Sequence, residues 1–370
     1  MSVQVDVAVV GAGSAGLAAA YQLARLGLRV VVFEAHPTMG GARWVNGVPP
    51  WMFERAGLAL PTAPELRGGA DGSAFVLADA SGRHRVDLRP SPVWQVDMRA
   101  LVARLAGLAQ NAGATLRVGQ RVRDLEVRDG RLRALRDAAG ERIEAELFVD
   151  AAGVSGVLRD VVPALSRHAP APRRDELCSA AQETFAIADK AGARAFLERF
   201  RLQPGDAFSR VGVAGGYSTL MVQVSSDLDH VEVLTGALAA PGLPSGRAIL
   251  DAFVADAGWI GARIFGGAGV IPLRRAYDLL GAGGVAVIGD AACQVFPAHG
   301  SGVGPGLVAA HHLAAAVTVG AGPGADATLW DYTRRYQRDI GAVAAAYDVF
   351  RRTTAAMSAG RRCRPRGRAS

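Results

Sequence analysis

Residues 7–16 read Val7-Ala-Val-Val-Gly11-Ala-Gly13-Ser-Ala-Gly16, a buried-strand pattern that runs into three closely spaced glycines. Gly11 permits a tight turn from strand to helix, Gly13 lets the backbone approach a pyrophosphate, and Gly16 lets the helix lie close to the strand. A second apolar strand ends at Glu34, whose carboxylate is placed to accept hydrogen bonds from a ribose diol and would repel a 2′-phosphate. This order of elements predicts a dinucleotide site and argues against NADP in it.

A second signature of strand, loop and helix begins about 280 residues later. It starts with Val285-Ala-Val-Ile-Gly289-Asp290 and continues through Pro297-Ala-His-Gly300-Ser-Gly302-Val-Gly304-Pro-Gly306 into a helix that we expect from about Leu307 to Val319. The Asp290 carboxylate can accept a hydrogen bond from a ribityl hydroxyl, and the glycines let the loop approach a flat ring. The N–H groups around Gly302–Gly304 would stabilise negative charge on a reduced flavin. Together the two signatures predict that the chain binds both ends of FAD.

The spacing of the second signature resembles the FAD oxidoreductase superfamily of aromatic hydroxylases, geranylgeranyl reductases and flavin halogenases. The hydroxylase pattern GDAAHxxxPxxGxGxNxG matches Gly289 through Gly306, with Cys293 in place of the His and Gly304 in place of the Asn. The sequence Gly-Asp-Ala-Ala-Cys is more similar to that of the halogenases, whereas residues 41–58 look more like the geranylgeranyl reductases. The resemblance covers most of the chain and is weak at 161–260.

The resemblance implies an α/β fold of the hydroxylase type. It consists of a Rossmann-like FAD-binding domain, an inserted substrate domain built on a mainly antiparallel β-sheet, and C-terminal helices. We expect a discontinuous FAD-binding domain at 1–60, 95–160 and 265–325 and a substrate domain at 61–94 and 161–264. We further expect C-terminal helices at 326–357 and a disordered basic tail at 358–370.

The resemblance also assigns residues to a non-covalently bound FAD. An arginine at the start of the helix that follows Asp97 reaches the cofactor in this superfamily, so Arg99 is the candidate, and a backbone contact to adenine is expected near Val122. The implied cofactor-binding residues are Gly11, Ala12, Gly13, Ser14, Ala15, Gly16, Glu34, Ala35, Gly41, Ala42, Arg43, Arg99, Val122, Ala152, Gly153, Gly289, Asp290, Pro297, Gly300, Ser301, Gly302 and Val303.

The sequence gives less information about the source of the electrons that reduce FAD. The segment Leu147-Phe-Val-Asp-Ala-Ala-Gly153 matches a hydroxylase motif written Ala-Asp-Gly, but Ala152 replaces the Asp that is linked to NADPH use. The sequence contains no further strand–GxGxxG–helix unit. We therefore expect NAD(P)H to reach the flavin only transiently as a reductant, or electrons to come from a partner protein.

Composition narrows the other functions open to the chain. The net charge is +7, but the segment 358–370 carries five Arg and no acid, so the remainder has only about +2 and no nucleic-acid surface is indicated. Three cysteines without metal-ligand spacing predict no disulfide framework, no metal site and a reducing cytoplasm. No signal peptide or transmembrane segment is expected. We expect the basic tail to be a solvated terminus, and contact with acidic lipids or with a partner is the functional alternative.

Several reactions remain open because the fold alone does not set the chemistry. We favour a reductase or dehydrogenase that moves hydride between flavin N5 and a small apolar or aromatic substrate. The alternative is a monooxygenase that hydroxylates its substrate with NAD(P)H and oxygen. A halogenase is disfavoured because the single lysine, Lys190, has a helical context and the Trp-x-Trp-x-Ile-Pro stretch is missing. A protein that binds FAD without redox turnover is the non-enzymatic alternative.

Four residues are candidates for acid–base chemistry. His299 lies inside the flavin loop and could deliver a proton or stabilise charge on the reduced flavin. Arg43 follows a glycine pair and could polarise a substrate oxygen. Tyr217 occupies a position where reductases of the superfamily carry an aromatic residue that lines the pocket, and Cys178 is a fourth candidate. Each residue could instead have a purely structural role.

Overall fold

The computed structural model describes residues 2–39 and 44–360, with side chains as far as residue 353. Its strands are β1 (Ser2–Gln4), β2 (Val7–Val10), β3 (Val30–Glu34), β4 (Val45–Val48), β5 (Leu66–Gly68), β6 (Phe75–Ala78), β7 (Arg85–Leu88), β8 (Trp94–Asp97), β9 (Thr115–Val118), β10 (Val122–Arg128), β11 (Arg131–Asp137), β12 (Arg142–Glu144), β13 (Leu147–Asp150), β14 (Leu177–Ile187), β15 (Ala207–Val211), β16 (Ser218–Val224), β17 (His230–Leu238), β18 (Ile260–Pro272), β19 (Gly281–Ala282) and β20 (Val285–Val287). Its helices are α1 (Ser14–Ala24), α2 (Pro50–Arg55), α3 (Met98–Asn111), α4 (Pro163–His168), α5 (Lys190–Arg199), α6 (Gly246–Asp256), α7 (Val303–Val319), α8 (Asp326–Tyr336) and α9 (Ala342–Gly360).

The first sheet has the strand order β19-β20-β13-β2-β3-β9, and every pair from β20 to β9 is parallel. Strands β2 and β13 are buried along their whole length, as expected for a parallel sheet that is covered on both faces. Helix α1 packs against both α3 and α7, while Leu132, Leu135 and Ile143 of the four-stranded sheet β1-β12-β11-β10 join the same core. The parallel order brings the carboxyl ends of β2, β13 and β20 to one edge, where ligands bind in such sheets.

The second large sheet has the order β18-β14-β17-β16-β15-β6-β7 and is antiparallel except between β15 and β6. One of its faces forms an apolar core with residues of α5 and α6. On β14, Gln182 is almost fully buried and donates a hydrogen bond to the carbonyl of Val45 at 2.7 Å while accepting one from the Val45 N–H at 2.9 Å. This pair joins the large sheet to the three-stranded sheet β4-β8-β5. The architecture confirms the predicted fold class.

Two of the expected domain boundaries fall inside strands. Strand β18 runs through the boundary expected at residue 265, and it pairs with β14 as far as Pro272, so residues 265–272 belong to the seven-stranded sheet. The strand was missed because Gly266-Gly267-Ala268-Gly269 lacks the alternating apolar side chains that mark a strand. The boundary expected at residue 95 lies inside β8. The rest of the division into domains stays a prediction.

The C-terminal helices also differ from the prediction in detail. Helix α9 continues to Gly360, past the boundary expected at 357, while residues 361–370 of the predicted tail lie outside the described residues. The Trp330 side chain on α8 is 58% exposed. The buried residues of α8 are Thr328, Leu329, Tyr332, Thr333 and Tyr336. Trp330 comes directly after the buried residue Leu329, and the turn of the helix directs its side chain away from the buried face.

Candidate active site

The two glycine signatures lie in contact with each other. A Cβ atom placed on Gly289 or on Gly306 would lie 3.0 Å from the Cβ of Ala15, so only glycine allows this approach without displacement. Gly11 has a φ of +106°, and a Cβ on it would overlap the carbonyl of Ala151. The loops that follow β2, β13 and β20 therefore converge at one place, as expected if a single ligand contacts all three.

The N-terminus of α1 is open. Its N-cap is Gly13, no side chain among the described residues caps it, and a Cβ on Gly13 would meet no atom within 4 Å. The unpaired N–H groups of the first turn and the positive end of the helix dipole favour a phosphate at this position. Beside it, the Glu34 carboxylate accepts hydrogen bonds from the N–H of Ala12 at 2.9 Å and the N–H of His36 at 2.8 Å. These bonds fix the carboxylate next to the glycine turn.

The N-terminus of α7 likewise lacks a side-chain cap, and its N-cap is Gly302. The loop before it is folded on itself, since Phe296 N–H donates to the carbonyl of Ser301 at 2.9 Å and Gly300 N–H donates to the carbonyl of Phe296 at 2.8 Å. The Ser301 hydroxyl donates to the carbonyl of Gly47 at 2.9 Å and so ties the loop to β4. The first N–H groups of α7 are thus held in place and available to an electron-rich group.

Asp290 carries a carboxylate for which no hydrogen-bond donor is found among the described residues. A Cβ on Gly302 would lie 3.2 Å from Oδ1 of Asp290, which places the carboxylate at the start of α7. Burial without a compensating donor raises the pKa of Asp290 from 3.8 to about 6. A partly buried acceptor without a protein donor is a natural partner for a ligand hydroxyl.

The loop after β13 depends on Asp150, which the sequence analysis did not single out. Its fully buried carboxylate accepts hydrogen bonds from the N–H groups of Ala152 at 3.2 Å, Leu158 at 2.7 Å and Arg159 at 3.0 Å. Burial nevertheless raises the pKa of Asp150. These bonds hold Ala152 and Gly153, two of the predicted cofactor residues, in the loop whose Ala151 touches the Gly11 turn. An acid at the end of a wholly apolar strand was the available signal.

Two further residues connect the loops and were also missed. The Arg159 side chain is 1% exposed and donates hydrogen bonds to the carbonyl of Ser155 at 3.3 Å and to that of Ala291 at 3.2 Å. Gln294 is fully buried, and its Oε1 accepts a hydrogen bond from the Gly289 N–H at 2.7 Å. Arg159 thus links the loop after β13 to the turn after β20, and Gln294 fixes the start of that turn.

Arg99 lies at the start of α3, as predicted, and has protein partners there. Its Nη2 donates to Oδ2 of Asp97 at 2.6 Å, and its guanidinium group lies 4.1 Å from the centroid of the Phe265 ring. Opposite charge beside the group raises the pKa of Arg99 further. Because the side chain is 47% exposed, it remains accessible, and its contact with the cofactor stays a prediction.

The predicted adenosine end lies beside Glu34. The N–H of Gln120 donates to the backbone carbonyl of Glu34 at 2.8 Å, which brings the start of β10 and therefore Val122 close to this acid. Ala35 follows directly and is exposed. This arrangement agrees with adenine contacts by Val122 and Ala35, which stay predictions.

The two departures from the hydroxylase pattern have physical explanations. A Cβ on Gly304 would overlap Sδ of Met52 and lie 3.1 Å from its Cγ, so Met52 fills the space that an asparagine would need. Cys293 has left-handed backbone geometry, with φ of +53°, and is fully buried. Burial raises the pKa of Cys293 to about 11, so the thiol stays protonated and acts as a packing residue.

His299 belongs to a group of three aromatic rings. Its ring centroid lies 5.4 Å from that of Phe296 and 6.0 Å from that of Tyr347 on α9. Crowding by protein atoms lowers the pKa of His299, while one side of the ring remains open to solvent. The ring is therefore neutral near pH 7 and packs the flavin loop against α9.

Tyr217 and Cys178 lie together in a small apolar cluster. The buried members are Cys178, Leu238 and Leu273, and the partly buried ones are Ala180, Tyr217, Ala240, Leu243 and Ile271. A Cβ on Gly300 would lie 2.6 Å from Cδ1 of Ile271, so this cluster borders the flavin loop. Burial raises the pKa of the Cys178 thiol to about 12 and holds the pKa of the Tyr217 phenol well above its usual range.

Some of the remaining predicted residues lie in the described part of the chain and others do not. Gly41, Ala42 and Arg43 lie outside the described residues, so the proposed catalytic role of Arg43 stays a prediction. Pro297 is described and is buried in the flavin loop. Within residues 2–39 and 44–360, no cluster of His, Cys, Asp or Glu could hold a metal ion, and no helix is long and apolar enough to cross a membrane.

Comparison with known proteins identifies the family. The family whose sequence model matches residues 6–218, more than half of the chain, is described as FAD dependent oxidoreductase. The chain belongs to this family. It is 24% identical to the digeranylgeranylglycerophospholipid reductase of Sulfolobus acidocaldarius over 362 residues, which cover 94% of this chain and 76% of the reductase. It is 32% identical to the thiamine thiazole synthase of Thermococcus kodakarensis over 141 residues, which cover 36% of this chain and 47% of the synthase.

Solved structures share the fold of this FAD-dependent oxidoreductase. A geranylgeranyl bacteriochlorophyll reductase-like protein from Thermoplasma acidophilum has a TM-score of 0.80 and 17% identity, covering 96% of this chain and 88% of that protein. PqsL, described as a probable FAD-dependent monooxygenase from Pseudomonas aeruginosa, has a TM-score of 0.65 and 16% identity, covering 96% of each chain. The fold is therefore common to reductases and monooxygenases.

The residues at the converging loops fit FAD. The open N-terminus of α1 suits a pyrophosphate, the fixed Glu34 suits a ribose diol, and the unpartnered carboxylate of Asp290 suits a ribityl hydroxyl. The uncapped N-terminus of α7 suits the electron-rich edge of the flavin ring. These four features favour four different chemical groups, and one FAD molecule would supply all of them.

Replacing Asp290 by alanine should weaken FAD binding. The variant loses a buried hydrogen bond to the cofactor, and we expect a cost of about 1–3 kcal/mol in binding free energy. Titration of FAD-free protein with FAD, followed by flavin fluorescence, measures this change. An FAD affinity equal to that of the unaltered protein would remove Asp290 from the set of cofactor-binding residues.

The stability of the FAD-free protein should depend on pH through the same side chain. Because the pKa of Asp290 is raised from 3.8 to about 6 in the folded state, the folded protein binds the proton more tightly, and stability decreases as pH rises through this interval. Asp290→Asn removes this loss of stability. The FAD-free variant should therefore have a free energy of unfolding about 1–2 kcal/mol higher than that of the FAD-free wild type near neutral pH.

Urea unfolding of both FAD-free proteins, at a pH below and at a pH above this interval, measures the difference. The advantage of the Asn variant should appear only at the higher pH. An equal advantage at both values would show that the change acts through packing rather than through the ionisation of Asp290.

Proposed function

We propose that the protein is an FAD-dependent reductase or dehydrogenase that moves hydride between FAD and an apolar small molecule. The observation that carries this proposal is the apolar cluster beside the flavin loop. Gly300 of this loop touches Ile271, and both Ile271 and Tyr217 pack against the buried residues of the cluster, which include Leu273. A surface of this kind excludes water and offers contact area to an apolar substrate.

The proposed reduction needs one group that donates a hydride and another that donates a proton. FAD that has first been reduced by two electrons would supply a hydride to one carbon of a double bond, and the other carbon would receive a proton. Tyr217 is the candidate proton donor, because burial keeps its phenol protonated and the ring belongs to the apolar cluster. Its neighbour Cys178 also keeps its proton, and the neutral thiol adds to the apolar surface. In the dehydrogenase direction the same groups act in reverse.

Similarity to a lipid-modifying enzyme supports this choice of substrate class. The relative from Sulfolobus acidocaldarius, which aligns with nearly the whole of this chain, is named as a reductase of a digeranylgeranylglycerophospholipid. We propose an isoprenoid chain or another apolar molecule as the substrate here. Peripheral contact with a membrane, the site of most such molecules, belongs to this proposal.

The source of electrons is part of the proposal as well. Because the sequence has a single GxGxxG unit, NAD(P)H would reach the flavin only transiently, or a partner protein would deliver the electrons. The region around Ala152 lacks the acid that the hydroxylase motif carries for NADPH use. This difference favours a partner or an unspecialised use of the nicotinamide.

A monooxygenase is the second candidate. The likeness to the PqsL fold, at a TM-score of 0.65 over 96% of both chains, supports it. The two candidates differ in their need for oxygen, because a hydroxylase inserts one oxygen atom into its substrate whereas a reductase does not use oxygen.

Anaerobic reoxidation of the reduced holoenzyme distinguishes the two. We expect the chemically reduced, FAD-loaded protein to be reoxidised without oxygen by a polyprenyl alcohol such as geranylgeraniol, as followed by flavin absorbance. Tyr217→Phe should slow this step about 100-fold, because a general acid contributes at least that factor, while FAD affinity stays unchanged. Tyr21→Phe, on α1 and outside the apolar cluster, is the matched control and should react at the normal rate.

Two results would contradict these expectations. Product formation that requires oxygen and inserts an oxygen atom would favour the monooxygenase. Equal rates for Tyr217→Phe and the control variant would return Tyr217 to a packing role.

A further inference from the structure

Helix α9 has a buried face that holds it over the flavin loop. Ala344, Asp348 and Arg351 follow the spacing i, i+4, i+7, and each is at most 5% exposed. Asp348 accepts a hydrogen bond from Nη2 of Arg351 at 2.9 Å, and the Arg352 guanidinium lies 3.6 Å from the buried Glu176 carboxylate, which directly precedes β14. The Asp348–Arg351 pair lies within the helix, whereas the Arg352–Glu176 pair links the helix to the start of β14.

The same helix touches the candidate active site. The Tyr347 ring lies 5.5 Å from the Phe296 ring and 6.0 Å from the His299 ring, both in the loop that leads to α7. Arg351 is close enough to Tyr217 to influence the pKa of its phenol. Helix α9 thus covers the side of the flavin loop where the apolar cluster lies.

The outer face of α9 is apolar and exposed. Val343, Tyr347 and Phe350, again at i, i+4, i+7, are 49%, 39% and 62% exposed, and neighbouring Val349 is 65% exposed. Large apolar side chains aligned on one helical stripe of a water-exposed surface mark an interaction site. We call Val343, Tyr347, Val349 and Phe350 the outer patch of α9.

The sequence that follows the outer patch has the complementary charge for one particular partner. Residues 361–370 contain Arg361, Arg362, Arg364, Arg366 and Arg368, and no acidic residue. Clusters of arginine next to an apolar helix face attract anionic lipid head groups, while the apolar side chains enter the boundary of the acyl chains. The binding strength of such a segment grows with the apolar area that it buries and with its electrostatic attraction to anionic lipids.

We propose that the outer patch of α9 and the arginines of 361–370 dock the protein on an anionic lipid bilayer. Docking in this orientation places the Phe296–His299–Tyr347 group, in the loop that borders the apolar cluster, near the membrane surface. This attachment rests on the membrane contact included in the proposed function and requires no change in the fold.

Vesicle flotation of the full-length, FAD-loaded protein tests this proposal. We expect flotation with vesicles of phosphatidylcholine and phosphatidylglycerol, and at least tenfold weaker partition with phosphatidylcholine alone. The double variant Val343→Ser/Phe350→Ser should reduce partition to the mixed vesicles at least tenfold. Truncation after Gly360 should abolish the preference for the anionic lipid.

A matched double variant controls for the general loss of exposed apolar surface. Val86 on β7 and Ile264 on β18 are 59% and 57% exposed, so Val86→Ser/Ile264→Ser removes similar side chains far from α9 in the sequence. It should float like the wild type. Flavin absorbance and thermal unfolding verify that all variants retain FAD and remain folded.

Two results would overturn the proposal. The first is equal partition of the α9 double variant and the control variant. The second is a stable dimer in sedimentation velocity that dissociates only in the α9 double variant, because the outer patch would then belong to a second copy of the chain. Either result leaves the proposed redox reaction untouched, since anaerobic reoxidation in detergent measures that separately.

Discussion

The candidate site depends on the close approach of small residues from distant parts of the chain. Gly289 and Gly306 come within contact distance of Ala15, and Gly11 touches Ala151, so three loops share a space that any larger side chain would occupy. The parallel pairing of β20 with β13 and of β13 with β2 brings these loops to the same sheet edge. Without this approach, the open ends of α1 and α7 would not act on one ligand.

The sequence was sufficient for the parts of this arrangement that are local. The Gly11–Gly16 turn, the acid at position 34 and the strand–loop–helix around Asp290 each require particular residues at short spacing, so their pattern could be recognised. The Asp129-Gly130 turn, in which both residues have positive φ, is a local feature of the same kind. Family resemblance supplied the cofactor, and the family match now supports it.

Features that depend on tertiary contact could not be predicted in the same way. The glycine-rich part of β18 is a strand because β14 pairs with it over its length, and nothing in its own side chains indicates this. Asp150 and Arg159 become important only because loops distant in the sequence meet around them. On α8, packing buries Leu329 and leaves the adjacent Trp330 exposed, which the size of the two side chains does not indicate.

Binding and stability make opposite demands on the loop after β20. The carboxylate of Asp290 is partly buried and has no donor among the described residues, which is unfavourable for the protein alone and favourable for a ligand hydroxyl. The uncapped helix ends have the same character, since their N–H groups are left for a ligand instead of being capped by side chains. Such features are expected where a fold is shaped for a bound molecule rather than for maximal stability.

The most direct test of this account is an FAD titration of wild-type protein and of Ala15→Leu. A leucine at position 15 would push the Gly289 and Gly306 backbones away from α1, because both already lie 3.0 Å from its Cβ when a Cβ is placed on them. The account predicts one FAD per wild-type chain and roughly tenfold or weaker binding in the variant, with secondary structure retained in circular dichroism. Undiminished FAD affinity in Ala15→Leu, or no uptake of FAD by the wild type, would contradict it.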